Sequence, residues 1–174
     1  MSKSRASGRR LGTKRNDRRW EDGDGNVFAS ELEAVIFASI KADARVRVRR
    51  CSAEEGDTFN YRTPINSGVC NGCGLRDVVQ ERTYTPDLFV YREGSGHDGR
   101  GVYLEVKGYF PADKRNLLRH FVKTGPSIDL RIVLQRDAKA TRNSRLTEYI
   151  AKYLKVPVCV WNGKLPDAWI KELK

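Results

Sequence analysis

The sequence has 174 residues and a formal net charge of +11, with 39% hydrophobic and 32% charged residues. That length suits one domain able to bury a continuous core without disulfides, and no apolar run reaches the roughly 18 residues of a membrane span. A membrane-spanning protein is excluded and a globular, soluble one expected. The basic N-terminus has no apolar stretch behind it, so no secretory signal is expected; an intracellular protein is expected, with its 4 cysteines reduced or metal-bound.

Residues 1–20 read as a disordered basic arm ahead of a folded unit at 21–174. The first 19 residues carry eight Lys or Arg against the single Asp17. Such a segment repels itself and has too little apolar content to fold alone. Arg9, Arg10, Lys14, Arg15, Arg18 and Arg19 are therefore candidate phosphate contacts. Nucleic acid is the natural partner, because each cation set against a phosphate releases a condensed counterion. A merely solubilising tail is the plainer alternative.

After the arm, "NVFASELEAVIFASIKAD" places Phe28, Leu32, Val35, Ile36 and Ile40 at helical spacing, with Asn26 or Asp24 available as N-cap. "ARVRVRR" then alternates Arg45, Arg47 and Arg49 with Val46 and Val48, the period of a half-buried strand. One face of that strand is expected to be a row of guanidinium groups, suited either to guarding an edge or, beside a basic arm, to contacting phosphate. Residues 51–82 are less regular, and short strands and turns away from the core are expected. Two β-rich runs, 84–92 and 101–107, flank the Gly-rich "EGSGHDGRG", which reads as an exposed hairpin loop. "ADKRNLLRHFVKT" is expected to be a helix with Leu117, Leu118, Phe121 and Val122 on one face. "DLRIVLQ" reads as a buried strand, "SRLTEYIAKYLK" as a helix through Leu146, Ile150, Tyr153 and Leu154, and "VPVCVW" as a last strand. This order predicts an α/β fold with a mixed central β-sheet flanked by helices.

In a strand, residues two apart share a face, so Glu105 and Lys107 project together while Leu104 and Val106 point to the opposite layer. If the two β-rich runs pair as a hairpin, Asp87 comes beside Glu105. The two carboxylates then repel each other unless a cation lies between them. Oxygen donors of this kind suit Mg2+ or Mn2+. Lys107 would be placed to orient a water and to offset charge growing on phosphorus. A cross-strand Lys–Glu ion pair is the plain structural alternative.

"RTYTPDLFV", "VYLEVKGYF", "DLRIVLQ" and "LPDAWIKEL" occur in the order and wording of the bacteriophage endonuclease I family, the Holliday-junction resolvases built on a PD-(D/E)xK nuclease core. The chain resembles that family over roughly residues 28–174, most strongly from 83 onward. The resemblance implies a restriction-endonuclease-like core and Mg2+- or Mn2+-dependent cleavage of branched DNA, four-way junctions above all. It also implies a homodimer, strand-swapped through residues 45–82, that nicks two strands. It assigns the metal-binding Asp to Asp87, the second carboxylate to Glu105 and the catalytic Lys to Lys107. The family's first-helix carboxylate falls on Glu33, in "SELE", which the resemblance adds to the catalytic and Mg2+- or Mn2+-binding residues. Helical phase alone does not choose between Glu33 and Glu31. Ser30-x-x-Glu33 also fits a capping box, although the apolar period starting at Phe28 places the helix start earlier.

"VCNGCG" is a zinc-knuckle-like turn in which Cys70 and Cys73 can chelate one ion. Cys51 is the third candidate ligand. Cys159 or a residue of a second chain is the fourth, although Cys159 reads more simply as core. Structural zinc and free thiols stand as the two readings. Beyond junction resolution, two other functions are open: another PD-(D/E)xK nuclease of restriction or repair type, and a non-catalytic basic nucleic-acid-binding protein.

Overall fold

The computed structural model describes residues 20–64, 79–93, 101–136 and 140–173. The N-terminal arm, the Cys70/Cys73 knuckle and most of the Gly-rich loop lie outside the described residues.

The described chain opens with a short antiparallel pair, β1 (Trp20–Glu21) and β2 (Val27–Phe28). The turn between them is closed by the Asp22 carboxylate, which accepts from the backbone of Asp24 and Asn26. Helix α1 (Glu31–Lys41) follows. It starts later than the apolar period suggests. Ser30 is its N-cap: the hydroxyl oxygen accepts from Glu33 N–H at 3.2 Å, and the Glu33 carboxylate reaches back to Ala29 N–H. This is a variant of the capping box: Ser30 satisfies one of the backbone donors that a helix start leaves orphaned, while the Glu33 carboxylate takes the N–H of Ala29, one residue before the cap. Phe28 belongs to the strand before it and is fully buried against Phe37.

Strand β3 (Arg47–Arg50) is followed by β4 (Phe59–Pro64) and β5 (Val79–Tyr84), which pair antiparallel as a separate two-stranded ribbon. Strands β6 (Leu88–Tyr91) and β7 (Gly101–Lys107) form the expected hairpin, with Leu88 opposite Leu104. Then come α2 (Ala112–Thr124), β8 (Leu130–Leu134), α3 (Ala140–Tyr149) continued by a π-helical turn (Ile150–Leu154), β9 (Val158–Val160) and α4 (Asp167–Glu172). The central sheet has the order β3-β6-β7-β8-β9, antiparallel on the β3 side and parallel from β7 to β9. The fold is therefore mixed α/β, as its element order implies. Helix α4, to which the sequence reading assigned no element, is an addition.

Two apolar layers cover the sheet, and the period of two decides which residue joins which. Val102, Leu104 and Val106 of β7 and Val133 of β8 pack with Ile36, Phe37 and Ile40 of α1 and with Leu165, Trp169, Ile170 and Leu173 around α4. Leu130, Ile132 and Leu134 face the other way, toward Leu118 and Phe121 of α2 and Ile150 and Leu154 of the π-turn. The ribbon docks on that second layer. Phe59, Tyr61 and Tyr84 all contact the Phe121 ring, with Tyr84 only 4.1 Å away centroid to centroid. Thr124 brackets the ribbon backbone, accepting from Arg62 N–H at 3.0 Å and donating to Arg62 C=O at 2.8 Å. Truncating Phe121 would remove the shared contact of all three rings, at a cost of about 3–5 kcal/mol.

Three local expectations change. The guanidinium row is not a row: Arg45 lies in the turn before β3, where it binds Asp43 and Asp167. Val122 of α2 is exposed, because the helix presents Leu118 and Phe121 to the sheet. Tyr153 is also exposed, at 44%. The π-turn, closed by Lys155 N–H donating to Ile150 C=O at 2.8 Å, widens the helix and rotates Tyr153 outward while Ile150 and Leu154 stay buried. Among the described residues no helix is long and apolar enough to cross a membrane.

Candidate active site

Asp87 sits in the bend between the ribbon and the central sheet, after Pro86. Its backbone is fixed on both sides, since its N–H donates to Leu104 C=O and its C=O accepts from Cys51 N–H, each at 3.1 Å. That anchoring aims the carboxylate along β7, where Oδ2 accepts from Val106 N–H at 2.6 Å. Glu105 and Lys107, two apart on β7, share the face that looks toward α2 and the ribbon. Lys107 Nζ lies 2.5 Å from Glu105 Oε1 and 3.5 Å from Asp87 Oδ2. The three residues expected to converge do so. The second Glu105 oxygen accepts from the Tyr84 hydroxyl at 2.5 Å.

These groups line a cleft of about 560 Å³, whose walls also include Tyr109 and Lys114. A second cleft of about 700 Å³ lies on the α1 side of Lys107, between Glu33 and Gln135, and Tyr109 borders both. Tyr109 is 70% exposed, with the Arg142 guanidinium 5.3 Å from its ring centre. The tip of the Gln135 side chain lies close to Gly108, where a Cβ would stand 2.8 Å from its Oε1.

The charges are mutually adjusted. Burial pushes Glu105 up to about 7, Asp87 adds to the rise, and Lys107 and Tyr84 oppose it. Burial works against the Lys107 ammonium, but Glu105 and Asp87 outweigh it and its pKa is raised. Glu33 is raised by burial and then by the charge of Asp87, against the hydrogen bonds from Ser30 and Ala29. One ammonium thus serves up to three carboxylates. An excess of negative charge in a cleft favours a further cation.

Comparison with protein-family models, with curated proteins and with solved structures gives no match.

Asp87 and Glu105 offer hard oxygen donors of the type Mg2+ and Mn2+ take, and those ions complete their shells with water and phosphate oxygens. The pair fits such an ion as a partial set. Among the described residues no three His, Cys, Asp or Glu side chains converge into a complete metal centre. Glu33 is committed to its capping box and is felt at the site through its charge. Glu31 lines the second cleft beside Glu33.

The other predicted residues lie elsewhere. Arg47 binds Glu93 at 2.6 Å. Arg49 binds the buried Asp57 and covers the Phe89 ring at 4.7 Å. Together with Arg45, each is held by a carboxylate that an incoming phosphate would have to displace. Cys51 is buried, and burial raises its thiol far above the ordinary value. Cys70 and Cys73 lie outside the described residues, as do Arg9, Arg10, Lys14, Arg15, Arg18 and Arg19. Tyr84 and Tyr109 were not singled out from sequence. For Tyr84 the signal was present, as a hydroxyl-bearing aromatic placed just ahead of Thr-Pro-Asp.

Proposed function

We propose that the protein is a structure-selective endonuclease of the PD-(D/E)xK type that hydrolyses phosphodiester bonds in branched DNA, four-way junctions above all, as a homodimer with one site per chain. The observation that carries this reading is the convergence of Asp87, Glu105 and Lys107 on the wall of one cleft, with Lys107 shared between the two carboxylates. The resemblance of the "TPDLFV" and "YLEVKG" segments to the endonuclease I family, and the basic charge of the chain, support it. On this reading the core is restriction-endonuclease-like, and β4–β5 is the element exchanged between subunits.

Asp87 and Glu105 would hold Mg2+ or Mn2+, which when bound supplies Lewis-acid activation of the phosphoryl group and lowers the pKa of water. Lys107 orients the attacking water and offsets the negative charge that builds on phosphorus. Tyr84 holds Glu105 in place. Lys114, on the cleft wall, draws the DNA backbone in.

The test is incubation of a synthetic four-way junction and its matched linear duplex with Mg2+ and with EDTA. Cutting of the junction alone, and only with the metal, is expected. Equal cutting of the duplex would favour another nuclease of the same core, and binding without cutting a non-catalytic DNA-binding protein. Asp87→Ala, Glu105→Ala and Lys107→Ala are each expected to lower cleavage by about 100-fold or more while junction binding persists, because affinity rests on phosphate contacts. A variant that still cuts at the wild-type rate removes its residue from the catalytic set.

A further inference from the structure

Five of the described arginines are neutralised. Arg45, Arg47, Arg49, Arg62 and Arg131 each lie within ion-pair distance of a carboxylate. Across α2 and the π-turn the pattern changes. Arg115 lies 4.8 Å over the Tyr149 ring, Arg119 5.6 Å over Tyr153, and Lys152 5.2 Å from the same Tyr153 ring. The two tyrosines contact one another at 4.9 Å. None of these three cations has an ion-pair partner among the described residues, and Arg115 Nε is buried with no acceptor.

A carboxylate holds a guanidinium by cancelling its charge, whereas an aromatic face holds it and leaves the charge in place. This surface therefore carries fixed, uncancelled positive charge. Arg115 and Arg119 are four residues apart on α2, about 6 Å along its axis. The π-turn supplies the other half of the arrangement, because its extra residue brings Tyr153 to the surface beneath Arg119 and Lys152. Such turns are uncommon and recur at functional positions. The surface shares α2 with the cleft: Lys114 lines it, and Arg115 and Arg119 lie about 100° and 140° round the helix from Lys114.

We propose that the face formed by Arg115, Arg119 and Lys152 over Tyr149 and Tyr153 is a binding surface for the phosphodiester backbone of DNA, taking one arm of the substrate as it leaves the cleft. The inference rests on the nuclease reading for its substrate and adds to it the route of the DNA. Recognition is independent of base sequence, since only backbone charge is engaged.

Binding of the full-length protein to a labelled four-way junction, measured in EDTA over a salt series, tests this. Arg119→Gln with Lys152→Gln is expected to weaken binding and to flatten the plot of log K against log salt by about 1.8, twice the ~0.9 contributed by one phosphate contact. Tyr153→Leu keeps both charges but releases them, so affinity falls with the slope unchanged. Thermal melts establish that the variants fold, and Lys152→Gln alone, expected to flatten the slope by about 0.9, serves if the double variant does not. Wild-type affinity and slope in the glutamine variants overturns the surface, and so does a wild-type chain that binds no DNA. Because EDTA stops cleavage, a wild-type protein that binds through this face but never cuts with Mg2+ overturns the nuclease reading and leaves the surface standing.

Discussion

Glu105 is a carboxyl buried beside a like charge, and its proton is tied to the stability of the fold. Burial and Asp87 raise it from an ordinary 4.5 to about 7. Between those values the folded protein keeps a proton that the unfolded chain releases. The stabilisation is therefore full below 4.5 and is lost as pH rises through about 7. Glu105→Gln removes this ionisation, so the variant should gain on the wild type between pH 4 and pH 8 by on the order of 1–3 kcal/mol. Urea denaturation at the two pH values measures it, and an equal difference at both would refute the assignment. Tyr84 acts on the same group in the opposite direction, since its hydroxyl favours the ionised carboxylate. Tyr84→Phe keeps the ring on Phe121 and removes only the hydroxyl, so the rising limb of metal-dependent cleavage should move to higher pH. Initial rates between pH 6 and pH 9 show whether it does.

At the scale of elements, α1 gives Glu33 two roles that mutation can separate. Ser30→Ala should cost about 1 kcal/mol through the lost cap and leave cleavage near wild type. Glu33→Gln should cost no more in stability yet lower cleavage, because its charge is coupled to Asp87 and Lys107. Parallel melts and junction assays compare the two. The same helix shows what the sequence makes legible. Strand β7 and its site residues are readable because a period of two assigns Glu105 and Lys107 to one face without reference to anything distant. The start of α1 is not, because Phe28 continues the apolar period while its backbone belongs to a strand, and only the Ser30–Glu33 hydrogen bonds mark the boundary. Tyr153 is misplaced by helical phase because nothing in "EYIAKYLK" announces an extra residue per turn. The dependence of the ribbon on Phe121 is invisible for another reason, since it joins residues 59, 61 and 84 to residue 121.

For the whole molecule, the proposed chemistry needs two sites. Paired nicks on opposed strands call for two chains at a fixed separation, and sedimentation at micromolar concentration is expected to give a dimer. A monomer that makes paired nicks would refute this. The described ribbon rests on its own α2, so an exchange between subunits would have to rebuild the Phe59, Tyr61 and Tyr84 contacts on the α2 of the partner. The opposite face of the sheet has a different dependence. Leu165, Trp169, Ile170 and Leu173 complete its apolar layer, and the buried Arg131 in β8 ties α4 to the sheet through Glu172 at 2.9 Å and the Trp169 ring at 5.3 Å. Translation delivers Asp87, Glu105 and Lys107 well before that cover. At about 5–20 residues per second, the nascent chain carries β6 and β7 for several seconds with only α1 to cover that side of the sheet. The layer behind Leu104 and Val106 closes only once α4 has left the ribosome, so maturation of the site waits on a helix that contributes no side chain to it.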